Sequence, residues 1–335
     1  MAIKRPSMLL KILAVVSTVG MAIVDLVGFL DTQTDSALGC GPDWPLCNGK
    51  IIPTLSNEHV LIEFGHRVIV GGFALIATVF MVWAWIQYRQ WIEARVFAIL
   101  GIGFIVVQSG LGALAVVFVN PPAILALHLG FGFLALVGTA LLTAFIWQID
   151  RLAVGQVGGL TFRARPMPPG LRWRIGMIWV YTYAAMYLGA YVAFRQAGEA
   201  CTGWPLCNGK VIPPLTGNTG LDFLHRVAAL GLAALVLELL WKLRRVQATR
   251  PDLRRGTWWL VVLVLTQIFS GAYVALSHVA TGPYLLHVGN LMVLFTLMSY
   301  LALQALKPAA NQVDRVNRVE EVRVPRPSPS PDHTL

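Results

Sequence analysis

The chain is short of charge. Of its 335 residues 13% are charged and 56% hydrophobic, where soluble domains average about 25% charged. With a mean hydropathy of +0.67, a water-soluble single domain is excluded. Acidic residues are scarcer still, 16 against 26 Lys and Arg, for a formal net charge of +10. In a soluble protein that excess would raise nucleic-acid binding. Here the basic residues lie between long apolar runs, so their position matters more than their total, and no nucleic-acid role is expected. Cysteine is scarce too, and all four residues fall in two loops. No small-x-small cleavage site follows the first apolar run, which is therefore read as a membrane helix rather than a signal peptide.

What the chain has in abundance is apolar stretches long enough to cross a bilayer, which takes about 20 residues. Eight such helices are predicted, near 12–30, 63–87, 96–118, 123–147, 175–194, 223–241, 257–277 and 284–306. The fold class expected is an all-α integral membrane protein. An even count puts both termini on one side. Lys50, Arg67, Arg195, Lys210 and Arg226 are the only five of the 26 basic residues that fall on the other side. By the positive-inside rule the termini are cytoplasmic and the cysteine loops lie outside the plasma membrane.

The sequence also repeats itself. Trp44-Pro45-Leu46-Cys47-Asn48-Gly49-Lys50 recurs as Trp204-Pro205-Leu206-Cys207-Asn208-Gly209-Lys210, at an offset of 160. At 159, His66-Arg67-Val68 matches His225-Arg226-Val227, Gln108 matches Gln267, Gly112-Ala113 matches Gly271-Ala272, and His128 matches His287. The expected architecture is two tandem parallel four-helix bundles related by an axis along the membrane normal. Residues 1–147 and 175–306 form the halves, the Arg- and Pro-containing stretch 148–174 a cytoplasmic linker, and 307–335 a disordered cytoplasmic tail.

Each half places two histidines about 5–8 Å below the outer boundary of its predicted helices: His66 and His128, then His225 and His287. Ionisable residues inside a membrane are costly and usually functional. Paired imidazoles on facing helices suit axial ligation of a haem iron, so one haem per half is expected. His59, His278 and His333 have no repeat partners and are read as solvated. Cys40/Cys47 and Cys201/Cys207 each suit a small disulfide loop outside the cytoplasm, with a redox-active pair as the rival reading. Glu63 precedes His66 by three residues, on the same helix face; it is the candidate catalytic carboxylate. Asp222 holds that place before His225. Arg67 and Arg226 are candidates to pair with haem propionates, with lipid headgroups as the alternative. Asp25 stands in an apolar run without an assigned role.

Taken together these residues resemble the heme A synthases, membrane enzymes that oxidise a methyl group of heme O to the formyl group of heme A for cytochrome oxidase assembly. The resemblance covers nearly all of 12–306 and rests on Cys-Gly-Pro-Asp-Trp-Pro-Leu-Cys at 40–47, Cys-Thr-Gly-Trp-Pro-Leu-Cys at 201–207, Glu63-Phe64-Gly65-His66-Arg67, and His128, His225 and His287. It implies that the N-terminal half, with His66, His128 and Glu63, holds heme O as substrate, and that His225 and His287 ligate a haem b. Heme O itself, the heme O-producing enzyme, an electron-transfer partner and the lipid bilayer are the expected partners, and a homo-oligomer is compatible with the reading. The family often reads Thr-Gly-Ser before the first cysteine pair; this chain has Thr34-Asp35-Ser36, and Gln196-Ala197-Gly198 in the second half. Two other classes fit parts of the pattern. One is a di-haem b-type electron carrier or quinol oxidoreductase; the other is a transporter built from parallel repeats.

Overall fold

The computed structural model describes residues 3–55, 57–156 and 158–308. The expected disordered tail, with His333, lies outside the described residues from 309 onward. Among the described residues the chain is helical throughout, without strands. Eight helices are long and apolar enough to cross a membrane: α1 (Met8–Gln33), α2 (Glu58–Gln87), α3 (Ile92–Val117), α4 (Pro122–Ala153), α6 (Pro169–Phe194), α7 (Gly217–Lys242), α8 (Pro251–Leu276) and α9 (Thr281–Ala305). The short α5 (Gly159–Arg163) interrupts the connection between α4 and α6.

Most helices begin three to six residues before the predicted apolar window, and at α1 and α2 a polar side-chain cap fixes the start. Ser7 accepts from the Leu10 N–H at 3.2 Å and Asn57 from that of Val60 at 3.0 Å. Proline opens α4, α6 and α8, where its missing N–H costs nothing. The early start of α2 sets His66 eight residues, about 12 Å, into its helix, deeper than predicted. It also places His59 in the first turn of α2 rather than in a loop.

α1 packs along α2 and α4, and α3 lies mainly on α4; α6 meets α7 and α9, and α8 lies on α9. α4 also packs on α6 and α9, and α1 on α9. α4 is accordingly the most enclosed span, with 72% of its apolar window buried. Small residues permit the closest crossing. A Cβ on Gly138 of α4 would stand 3.1 Å from the Cα of Gly101 on α3, the close approach that small residues give membrane helices. One apolar core joins α1–α4 to Met186, Tyr284, Met292 and Phe295, and a second fills the space among α6–α9.

The predicted linker is shorter than 148–174, since α4 runs to Ala153 and α6 starts at Pro169. It is also fastened down. Arg163 is buried in an ion pair with Glu93 and donates to the Leu306 carbonyl at 3.3 Å. Burial lowers the Arg163 guanidinium from its ordinary range, and the Glu93 carboxylate opposes that shift. Arg250, 1% exposed, holds Asp252 and the Gln304 carbonyl at 2.8 Å each.

Candidate functional site

Both cysteine loops lie at the same end of the helices, between α1 and α2 and between α6 and α7. Cys40 is bonded to Cys47 and Cys201 to Cys207, with Cα separations of 4.2 and 4.6 Å. In each loop Asn-Gly takes positive φ, Asn48 and Gly49 at 49° and 75° and Asn208 and Gly209 at 52° and 75°, the combination that a tight reversal requires. The reversal lets Cys47 N–H bond to the Lys50 carbonyl, and Cys207 N–H to that of Lys210. Trp44–Pro45 and Trp204–Pro205 are cis. Each Trp-Pro pair forms part of the wall of a cavity beneath its loop.

The first cavity, about 400 Å³, is lined by Glu63, His66, Arg67 and His128. The second, about 260 Å³, is lined by Asp222, His225, Arg226 and His287. The structure thus gathers the sequence-predicted histidines and acids into two groups. Phe29 and Leu129 line both cavities and form the wall between them.

Every one of the four histidines faces a glycine on the adjoining helix. A Cβ on Gly28 would stand 3.1 Å from His66 Nε2, one on Gly112 3.0 Å from His128 Cε1, one on Gly189 2.7 Å from His225 Cε1, and one on Gly271 3.1 Å from His287 Cε1. The glycines leave the rings the room they occupy. Polar contacts differ from ring to ring. His128 Nδ1 lies 2.7 Å from the Gln108 carbonyl, which fixes the ring and leaves Nε2 for a ligand. Ser270 Oγ is 2.9 Å from His287 Nδ1, and the Gln267 amide nitrogen 3.0 Å from its Nε2. His225 Nδ1 is buried without a hydrogen-bond partner among the described residues.

The acids are held by the loops above them. Glu63, 2% exposed, accepts from the Cys40 N–H at 2.6 Å and pairs with Arg67, which also donates to the Leu46 carbonyl at 3.0 Å. Asp222 pairs with Arg226 at 3.1 Å, and that guanidinium donates to the carbonyls of Cys201 and Gly203 at 2.8 and 2.9 Å. The longer acid of the first half therefore reaches the loop backbone directly. In the second half Arg226 makes that connection.

Further site residues had no role assigned from the sequence, although Asp25 stood out there as an acid in an apolar run. Asp31 is buried, lines the first cavity and stands 3.6 Å from His66 Nδ1. Asp25 lines the same cavity, and its Oδ2 is buried without a partner. Gly28 and Gly189 were silent, because a lone glycine in an apolar helix means nothing until its neighbour is known. Among the histidines read as solvated, His278 is exposed. His59 is not free, since its Nδ1 lies 3.0 Å from Ser36 Oγ.

A family model described as Cytochrome oxidase assembly protein matches residues 11–299. A Heme A synthase of Symbiobacterium thermophilum is 39% identical over 292 residues, covering 87% of this chain and 94% of the relative. One of Halalkalibacterium halodurans is 37% identical over 305 residues, covering 88% and 96%, and one of Alkalihalophilus pseudofirmus 34% identical over 304, covering 90% and 98%. These matches run nearly end to end and include both cavities. The chain belongs to the heme A synthase family of cytochrome oxidase assembly proteins.

Proposed function

We propose that this multi-pass membrane protein is a heme A synthase that binds heme O in the cavity of His66 and His128 and oxidises one methyl group, through the alcohol, to the formyl group of heme A. The observation that carries the assignment of the halves is Glu63. It lines the cavity of His66 and His128, and both its carboxylate oxygens are engaged, one by Arg67 and the other by the Cys40 N–H. A carboxylate so fixed stabilises positive charge that develops on a neighbouring carbon and takes up the proton released there. Arg67, at the mouth of the same cavity, is placed to meet a substrate propionate. In heme O the pyrrole that bears the reacting methyl also bears a propionate, so the residue that anchors the acid group brings the methyl toward Glu63.

The second cavity fits a resident haem b. His225 and His287 line it, glycines make room for both rings, and the buried His225 Nδ1 without a partner accords with an imidazole whose place is set by something other than protein hydrogen bonds. A haem b there supplies one-electron transfer to and from the substrate side. The shorter Asp222 and the electron-carrying role go together. The two halves, 1–147 and 175–306, are read as tandem bundles with both termini cytoplasmic and the disulfide loops outside, in keeping with the arginine-rich face of the linker. The heme O-producing enzyme and an electron-transfer partner complete the system.

Replacing Glu63 by Ala, in cells that supply heme O, tests the assignment. Haem content is expected to persist while the formyl product disappears from acid-extracted haems, and full heme A production by this variant would overturn the role. A protein that only carried electrons would leave heme O unchanged, a reading that the relatives do not support.

A further inference from the structure

Below the histidines of the first cavity lies a polar floor that the mechanism above does not use. Asp25 on α1 stands three residues, about 4.5 Å along the axis, below Gly28, the residue that faces His66. Its Oδ2 is buried without a hydrogen-bond partner. Gln108 on α3 approaches the same point. A Cβ on Gly132, one helical turn below His128 on α4, would stand 3.0 Å from Asp25 Oδ1 and 3.2 Å from Gln108 Oε1. Two polar side chains from different helices thus converge over a glycine, and both line the cavity.

Among the residues that line the second cavity no carboxyl stands at that depth. Three residues before its histidine-facing Gly189 stands Met186, and four after His287 stands Leu291, both in the cavity wall. Gln267, the repeat match of Gln108, does line this cavity, but its side-chain amide is already engaged by His287 and Asn290. The floor of the first cavity carries a buried carboxyl; that of the second carries the Met186 thioether in its place, with Thr182 and Gln267 as its polar residues. A buried carboxyl left without a partner is costly, so the floor of the first cavity is built for something that completes it.

The two porphyrins of the proposed reaction differ in the matching way. Haem b carries a vinyl group where heme O carries a hydroxyalkyl chain ending in a farnesyl tail. That chain is on the rim away from the propionates. With the propionates toward Arg67, its alcohol points into the cavity, about one helical turn below the histidine level. We propose that Asp25 and Gln108 hydrogen-bond the alcohol of the heme O side chain and so select heme O over haem b in this cavity. The inference rests on the assignment of the first cavity to the substrate. A site that pairs with a substrate hydroxyl discriminates strongly against the analogue that lacks it, because its own polar groups are then left unmet.

The test is a titration of the purified full-length protein, carrying its resident haem, with heme O and separately with protohaem, followed by visible absorbance. The wild type is expected to favour heme O. Asp25→Met and Gln108→Leu should each weaken heme O binding roughly tenfold to a hundredfold while protohaem binding holds or improves, and Asp25→Asn should keep most of the preference. Equal weakening toward both porphyrins, or an unchanged ratio in Asp25→Met, overturns the proposal. Absorbance of the resident haem and the unfolding temperature report whether each variant is folded, and if Asp25→Met does not accumulate, Gln108→Leu makes the same comparison. Heme O binding that survives His66→Ala with His128→Ala overturns the cavity assignment itself, and the proposal with it.

Discussion

At Gly28, Gly112, Gly189 and Gly271 the size of one methyl group decides where a histidine can stand. The tightest case is Gly189, where the added Cβ would lie 2.7 Å from the His225 ring, inside any real contact distance. If the second cavity holds haem b as proposed, Gly189→Ala is expected to lower the haem content of the purified protein severalfold, while Gly282→Ala, at a position open to space, leaves it unchanged; a haem assay per mole of protein separates them. A different residue-scale effect concerns the turns before the cysteine loops. Asp35 and Gln196 adopt left-handed φ of 53° and 51°, so the matching residues of the two halves are these two, one position away from the match made on sequence. Left-handed backbone costs a non-glycine residue about 1–2 kcal/mol, less for Asp than for Gln. Gln196→Gly should therefore raise the unfolding temperature, and by more than Asp35→Gly does. The histidines and Glu63 were legible in the sequence because repetition and spacing mark them. Asp31 and Gly28 were not, for their meaning lies in what an adjoining helix presents to them.

Among the elements, apolar runs announced all eight spanning helices, but not their ends. Hydropathy falls off where caps and charged turns begin, while the helix continues until a cap stops it; hence α2 opens at Glu58 and α4 continues to Ala153. The connection from α4 to α6 was the least legible part. Its arginines read as a cytoplasmic charge cluster, yet Arg163 turns inward to Glu93 and Arg172 donates to the Ala305 carbonyl at 2.8 Å. Nothing local to either residue marks such long-range pairing. Removing one partner of a buried pair strands the other charge and costs about 3–5 kcal/mol. Arg163→Ala is therefore expected to unfold at markedly lower temperature or denaturant concentration than wild type. Arg174→Ala, whose partner Glu238 is half-exposed and keeps Lys242 at 2.9 Å, should change stability little.

For the molecule as a whole, the proposed orientation makes a plain forecast. A fluorescent reporter that matures only in the cytoplasm should light up when fused after Leu335, and a thiol reagent that cannot cross the membrane should label Lys50→Cys and Lys210→Cys, at exposed positions of the two disulfide loops, in intact cells. Darkness in the first, or protection in the second, reverses the orientation. Phe29 and Leu129, the wall shared by the two cavities, carry a thermodynamic consequence. A partition one side chain thick cannot insulate its two faces, so what fills one cavity alters packing and polarisability at the other. Free-energy reciprocity then binds the two occupants together. If heme O shifts the midpoint potential of the resident haem, reduction of that haem must change heme O affinity by the same free energy. Potentiometry with and without substrate, and substrate titrations at two poised potentials, should return one coupling constant, and enlarging the partition by Leu129→Phe should change both measurements by the same amount.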